Sequence, residues 1–132
     1  MPYLQLDLNG KHSVESKKNL ARRIGDIFAE IMETTPEQVT VAFRELSEGS
    51  IWRCGYGEPE PAALLMCDIR RGRPTMQRAR LAEALIDACV NTLDLSADRL
   101  SVEFTQHAGD EMYKAERGGF NLDWSPEEVE TG

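Results

Sequence analysis

The sequence predicts an α+β domain built from two tandem βαβ units. Three observations lead there. Strand and helix signals run in the order strand, helix, strand, and then the order repeats. The two halves superpose at an offset of 61, with Leu4 on Leu65, Asp7 on Asp68, Leu20-Ala21 on Leu81-Ala82, Asp26 on Asp87, Val41 on Val102 and Phe43 on Phe104. The breakers coincide too, Thr35-Pro36-Glu37 over Ser96-Ala97-Asp98. Right-handed crossovers then place both helices on one face of a four-stranded sheet, with strands one and two parallel and strands three and four parallel. The other sheet face has no cover in this chain, which predicts self-association. We read 1–132 as a single domain, with one unit over 2–57, a second over 62–113 and a tail over 114–132.

Each element has a local reason. Strand one, Tyr3 to Leu8, alternates Leu4, Leu6 and Leu8 with Tyr3, Gln5 and Asp7. Ser13 is placed to cap a helix running to about Glu33, with Leu20, Ile24, Ile27, Phe28 and Ile31 on one face. Strand two, Gln38 to Leu46, alternates Val39, Val41 and Phe43 with Thr40, Ala42 and Arg44. Residues 47–61 are polar and rich in Gly and Pro, yet carry Ile51, Trp52 and Tyr56. Such a loop folds back, either as surface packing or as an apolar wall over a pocket. Strand three, Ala63 to Ile69, is almost continuously apolar, which predicts burial on both faces. Thr75 is placed to cap helix two, Met76 to Leu93, with Leu81, Leu85, Ala88, Cys89 and Thr92 inward. Strand four runs from Arg99 to Thr105. In the tail, Gly118-Gly119 marks a turn and Ser125-Pro126 starts a last helical turn.

Bulk properties narrow the function. The net charge of −8 argues against nucleic-acid and anionic-membrane partners, both of which need a cationic surface. No apolar run reaches the roughly 18 residues that span a bilayer. No basic segment followed by an apolar one opens the chain, so a cytoplasmic location is expected. Three widely spaced cysteines, Cys54, Cys67 and Cys89, suit a reducing compartment and offer no zinc spacing. No metal and no cofactor are expected.

Two features carry chemistry. The chain opens Met1-Pro2, a favourable context for methionine removal. A freed Pro2 is a secondary amine on a rigid ring, able to act as general base, general acid or nucleophile. The alternative is an ordinary second residue without a role. The other feature is Arg70-Arg71-Gly72-Arg73 directly after strand three, either a solvated loop or an anion site, with Arg71 read as the outward member. Arg53 and Arg117 are weaker candidates for a second anion contact. Tyr113 is a candidate hydrogen-bond donor, and His12 and His107 read as surface residues without partners.

A terminal proline on strand one, two tandem βαβ units and a Gly-rich apolar loop after strand two together resemble the tautomerase superfamily. Arg44-Glu45-Leu46-Ser47-Glu48-Gly49-Ser50-Ile51-Trp52 is similar to the corresponding segment of short members such as 4-oxalocrotonate tautomerase. Arg70-Arg71-Gly72-Arg73 is similar to the Arg-x-Gly-Arg that binds the substrate carboxylate in cis-3-chloroacrylic acid dehalogenase, a two-unit member. The departures matter as well. Lys114 falls where that dehalogenase has a water-activating glutamate, and Phe28 falls where it has a histidine. Glu37 is nearest to the aspartate of malonate semialdehyde decarboxylase. Thr40 replaces the strand-two arginine of 4-oxalocrotonate tautomerase, whose loop arginine falls near Lys11 or His12.

The resemblance implies a homotrimer and a cofactor-independent tautomerase acting on a small carboxylate substrate. Pro2, Arg70 and Arg73 would be catalytic, and Trp52, Ile51, Arg117, Phe120 and Tyr113 would contact the substrate. Dehalogenase, hydratase or decarboxylase action on small acids, and a non-catalytic trimeric module, are the alternatives. The energetics are adequate for the first. A neutral amine at pH 7 needs a pKa drop of about 2 units, or about 2.7 kcal/mol. One guanidinium about 5.5 Å away at an effective dielectric near 20 disfavours the ammonium by about 3 kcal/mol. Burial acts in the same direction.

Overall fold

A computed structural model of the chain describes residues 2–120. The expected loss of Met1 and the expected helical turn at Ser125-Pro126 lie outside the described residues. In chain order the elements are β1 (Tyr3–Asn9), α1 (Val14–Met32), β2 (Thr40–Leu46), β3 (Trp52–Arg53), β4 (Glu60–Pro61), β5 (Ala63–Arg70), α2 (Thr75–Leu93), β6 (Leu100–His107), β7 (Tyr113–Lys114) and β8 (Gly119–Phe120). The main sheet has the order β2-β1-β5-β6. β1 is parallel to β2, β5 is parallel to β6, and the two units join through an antiparallel β1–β5 pair.

Alternation decides the layers. Leu4, Leu6 and Leu8 of β1 and Leu65, Cys67 and Ile69 of β5 are fully or almost fully buried. They form one cluster with Leu20, Ile24 and Phe28 of α1 and Leu81, Leu85 and Cys89 of α2. Both helices therefore cover the same face, as right-handed crossovers require. Each of these buried leucines contributes roughly 1.5–3 kcal/mol. Strand three departs from expectation. Its burial alternates along Ala63–Arg70, with Leu64 and Met66 only half-buried on the face away from the helices. The continuous apolar run reflects a sheet face left uncovered by this chain, rather than a strand covered on both sides.

The caps show the local logic. Ser13 caps α1 as expected, its hydroxyl oxygen accepting from the Ser16 N–H at 3.0 Å. Thr75 does not cap α2. It is the first helical residue, and Pro74, extended at φ −66 and ψ 161, stands at the cap position. Strand two starts at Thr40 because Pro36–Gln38 forms a 3-10 turn.

The repeat runs deeper than the identities suggest. α1 and α2 have 19 residues each. Both end on a left-handed residue with φ 57, Glu33 and Asp94. The 3-10 turns Pro36–Gln38 and Ala97–Arg99 keep the same spacing. Two hairpins that the pattern of apolar residues did not reveal keep that spacing in their first strands, while their second strands lie 59 residues apart. β3 pairs with β4 in the stretch expected to be a loop, and β7 pairs with β8 across a turn at 115–118, so Gly118 belongs to the expected turn and Gly119 to the strand. Trp52-Arg53 and Tyr113-Lys114 are their equivalent first strands.

Candidate active site

The site begins with strand register. Pro2 is buried, and its carbonyl accepts from the Thr40 N–H at 3.1 Å, which ties the chain start to β2. On its other side β1 meets β5, with Tyr3 opposite Asp68. Extending that register by one residue sets Pro2 opposite Ile69, next to Arg70. The start of β1 and the run Arg70 to Arg73 thus share one end of the sheet. Gly72, at φ 118, makes the turn there in a region that other residues rarely adopt.

The arginines have distinct settings. Arg70 is half-buried, opposite His107 in the β5–β6 ladder. Arg73 turns towards α1, where its Nη2 donates to the Met32 carbonyl at 3.1 Å. That carbonyl is in the last helical turn, whose carbonyls lack intrahelical donors. The Arg71 N–H donates to the His107 carbonyl at 2.7 Å.

His107 is not the lone surface residue that was expected. Its Nε2 lies 2.6 Å from Asp68 Oδ1, and its Nδ1 lies 3.7 Å from Glu111 Oε2. The Thr105 hydroxyl donates to the same Asp68 oxygen at 2.6 Å. The Ala108 N–H donates to Glu111 at 3.0 Å. That bond, followed by His107 and the charge of Arg71, holds the Glu111 carboxyl below its ordinary 4.5. Asp68 and His107 are far apart in sequence and lie diagonally across the β5–β6 ladder, so only that register brings the two side chains together.

The tail hairpin lies at the Pro2 end. Lys114 Nζ is 3.5 Å from Gln38 Oε1, just ahead of the Thr40 that holds Pro2, and 2.7 Å from Glu116 Oε1. Tyr113 and Phe120 meet edge to face with ring centroids 5.2 Å apart. Arg117 closes the turn Ala115–Arg117, and its side chain lies outside the described residues.

Ile51 and Trp52 lie elsewhere. Asn9, the last residue of β1, donates from Nδ2 to the Ile51 carbonyl at 3.1 Å and accepts the Ile51 N–H at 3.0 Å. Seven strand residues separate this point from Pro2, about 23 Å. Trp52 is 51% exposed, its indole N–H donating to the Gly49 carbonyl at 2.7 Å. Arg53 is bound at the same end, by the Asp98 carbonyl at 2.7 Å and the Ser101 hydroxyl at 2.5 Å. Within one chain, then, Pro2, Arg70, Arg73, Tyr113 and Phe120 gather at one end of the sheet. Ile51, Trp52 and Arg53 gather at the other.

The remaining groups are quiet. Burial pushes the Cys67 and Cys89 thiols up to about 12, whereas Cys54 is exposed. Among the described residues no group of three or more His, Cys, Asp or Glu could hold a metal ion. Among them, too, no helix is long and apolar enough to cross a membrane.

Comparison with known proteins agrees with the fold. The family model described as tautomerase enzyme matches residues 2–56. No curated protein matches the sequence. Among solved structures, N1, a member of the cis-3-chloroacrylic acid dehalogenase family, superposes with a TM-score of 0.79 at 22% identity, covering 97% of this chain and 88% of that one. A fused 4-OT, described as a symmetric trimer, gives 0.76 at 20% identity over 89% and 93%. Malonate semialdehyde decarboxylase gives 0.68 at 18% identity over 83% and 88%. This chain therefore has the fold of these solved structures, and residues 2–56 match the tautomerase family model.

Proposed function

We propose that this protein is a cofactor-independent tautomerase that interconverts enol and keto forms of small unsaturated 2-oxo or 2-hydroxy carboxylic acids. Pro2, freed of Met1, takes a proton from the enol hydroxyl or from an activated carbon and returns it to another carbon. Arg70 and Arg73 receive the substrate carboxylate and favour the negative charge that grows on the dienolate. Tyr113 and Phe120 form an aromatic wall at the same end, with Arg117 as a further anion contact. The observation that supports this reading most is the β1–β5 register, which brings Pro2 beside the start of the arginine run.

Ile51 and Trp52 enter the reading through assembly. About 23 Å of strand separates them from Pro2 in their own chain, so they reach a Pro2 site only from another copy. The reading therefore includes a homotrimer, the assembly described for the fused 4-OT. The dehalogenase, hydratase and decarboxylase alternatives require a group that activates water or polarises a leaving carboxylate. At the tail position that would serve the first of these stands Lys114, a cation.

An assay panel decides between them. Processed protein should turn over enol pyruvates with a larger kcat/KM than 3-haloacrylates or malonate semialdehyde. Pro2→Ala should lower the enol-pyruvate kcat/KM by about 10²–10⁴-fold, the usual contribution of a positioned base. Undiminished activity in Pro2→Ala would point to the non-catalytic module, and faster haloacrylate turnover to the dehalogenase.

A further inference from the structure

The tail hairpin that carries Tyr113 and Phe120 is joined to the sheet through one histidine. His107 ends β6, and the turn Gly109–Glu111 leads from it into β7. Its ring lies on the sheet face away from the helices, between carboxylates on two different elements. Nε2 is 2.6 Å from Asp68 Oδ1 on β5, and Nδ1 is 3.7 Å from Glu111 Oε2 on the turn. The other groups around this cluster are Arg70, opposite His107 on β5, Arg71 in the following loop, the Thr105 hydroxyl on Asp68 Oδ1, Tyr3 of β1 opposite Asp68, and the exposed Asp110 of the turn. Protonation decides how many of the two ring contacts attract. A neutral imidazole has one N–H and one lone pair, whereas the cation donates from both nitrogens. The shorter contact, at Asp68, keeps the single proton of the neutral ring on Nε2. Nδ1 then presents a lone pair to the Glu111 carboxylate, and the two repel. In the imidazolium the same nitrogen is a donor to Glu111.

We infer that His107 is a proton-operated fastener of the tail hairpin: as an imidazolium it joins Asp68 of β5 to Glu111 at the base of the hairpin, and as a neutral ring it releases Glu111. Histidine is the side chain whose charge ordinarily changes between about pH 5 and 8. Glu111 stays ionised across that range, because the Ala108 N–H first, then His107 and the charge of Arg71, hold its carboxyl below the ordinary 4.5. The Ala108 bond and Arg71 persist when the ring is neutral, so the fastening weakens without vanishing. The two arginines oppose a third cation and the two carboxylates favour it, but the atoms in contact with the ring nitrogens are carboxylate oxygens. A fastening that needs the proton is present at low pH and fades as pH rises. The Tyr113–Phe120 ring pair at the Pro2 end is therefore held more firmly below neutral pH than above it. This follows from the placement of the hairpin and does not depend on the tautomerase reading.

The test is amide hydrogen exchange of the native full chain, read by NMR at about pH 5.5 and about pH 8, on either side of the histidine range. Each rate is referred to that of the same residue in an unstructured peptide at the same pH, so the chemistry of exchange drops out. The Met112 and Gly118 N–H groups, which donate to the Gly109 and Lys114 carbonyls at 3.3 and 3.0 Å, report on the base and the turn of the hairpin. Their protection should fall about two- to fivefold at the higher pH, the range of a partly exposed ion pair. His107→Gln keeps a donor for Asp68 but cannot gain a charge, so its hairpin should be weakly protected at both pH values. Glu111→Gln removes the partner of that charge and should flatten the response as well. Slow exchange at Leu65, in the core, shows that each variant is folded. Wild-type hairpin protection that ignores pH or rises towards pH 8 would overturn the assignment, as would a full pH dependence surviving in either variant.

Discussion

Glu45 shows how one side chain links strand, helix and loop. It lies on the helix side of β2, where Lys17 Nζ of α1 is 2.5 Å from its Oε1 and the His12 N–H donates to its Oε2 at 2.5 Å. These bonds, the Lys17 bond first and the His12 bond second, hold its carboxyl below the ordinary 4.5. A lowered folded-state pKa adds stability that is complete above the unfolded value and fades as pH falls through the folded one. Wild-type protein should therefore lose this contribution on acidification below about pH 4.5. Glu45→Gln should be less stable at pH 7, and its deficit should shrink at pH 3, as read by denaturant midpoints. An equal deficit at both pH values would remove the ionic part of the account. Glu45 was noticed in the sequence only as part of a family-like segment. Its partners are remote in sequence and depend on how α1 lies on β2, which periodicity alone does not specify.

At the scale of elements, the loop after β1 shows what a single backbone position carries. Gly10 is buried with φ 78, its N–H donates to the Leu46 carbonyl at 2.7 Å, and a Cβ there would collide with the end of the Glu48 side chain. Gly10→Ala should cost about 1–2 kcal/mol from the left-handed backbone alone, because Glu48 has freedom to move away. Thermal unfolding checks it, and a neutral result would mean that this turn relaxes without strain. The major strands and helices were legible because their periods, 2 and 3.6, appear directly in the apolar pattern. The short hairpins were not, since two-residue strands such as Trp52–Arg53 and Tyr113–Lys114 carry no period. The available signal was the offset of 61, which sets an aromatic and then a cation in both halves at those positions.

For the whole molecule, the sequence identified the groups of the candidate site more readily than their arrangement. Pro2 and the arginine run were conspicuous, yet their proximity depends on an antiparallel β1–β5 junction between the units. Two apolar strands allow either direction of pairing, so this junction had to be seen. The parallel β1–β2 pair carries Ile51 and Trp52 to the far end of β1, beside Asn9, which makes the proposed site a property of the assembly. A mixture test follows. Pro2→Ala and Trp52→Ala chains, each weak alone, should recover activity when refolded together, since a mixed oligomer contains an intact Pro2 facing an intact Trp52. Activity no greater than the mean of the two would confine each site to one chain.

The central claim is that the Pro2 nitrogen is an uncharged base at neutral pH. The most direct measurement is a ¹⁵N NMR titration of proline-labelled native protein whose N-terminus has been verified by intact mass. The account predicts a free Pro2 amine titrating below about pH 7, under the influence of burial and of nearby guanidinium charge. A midpoint at or above the ordinary α-amino range of about 7.7–8.0, or a nitrogen still blocked by Met1, would contradict it.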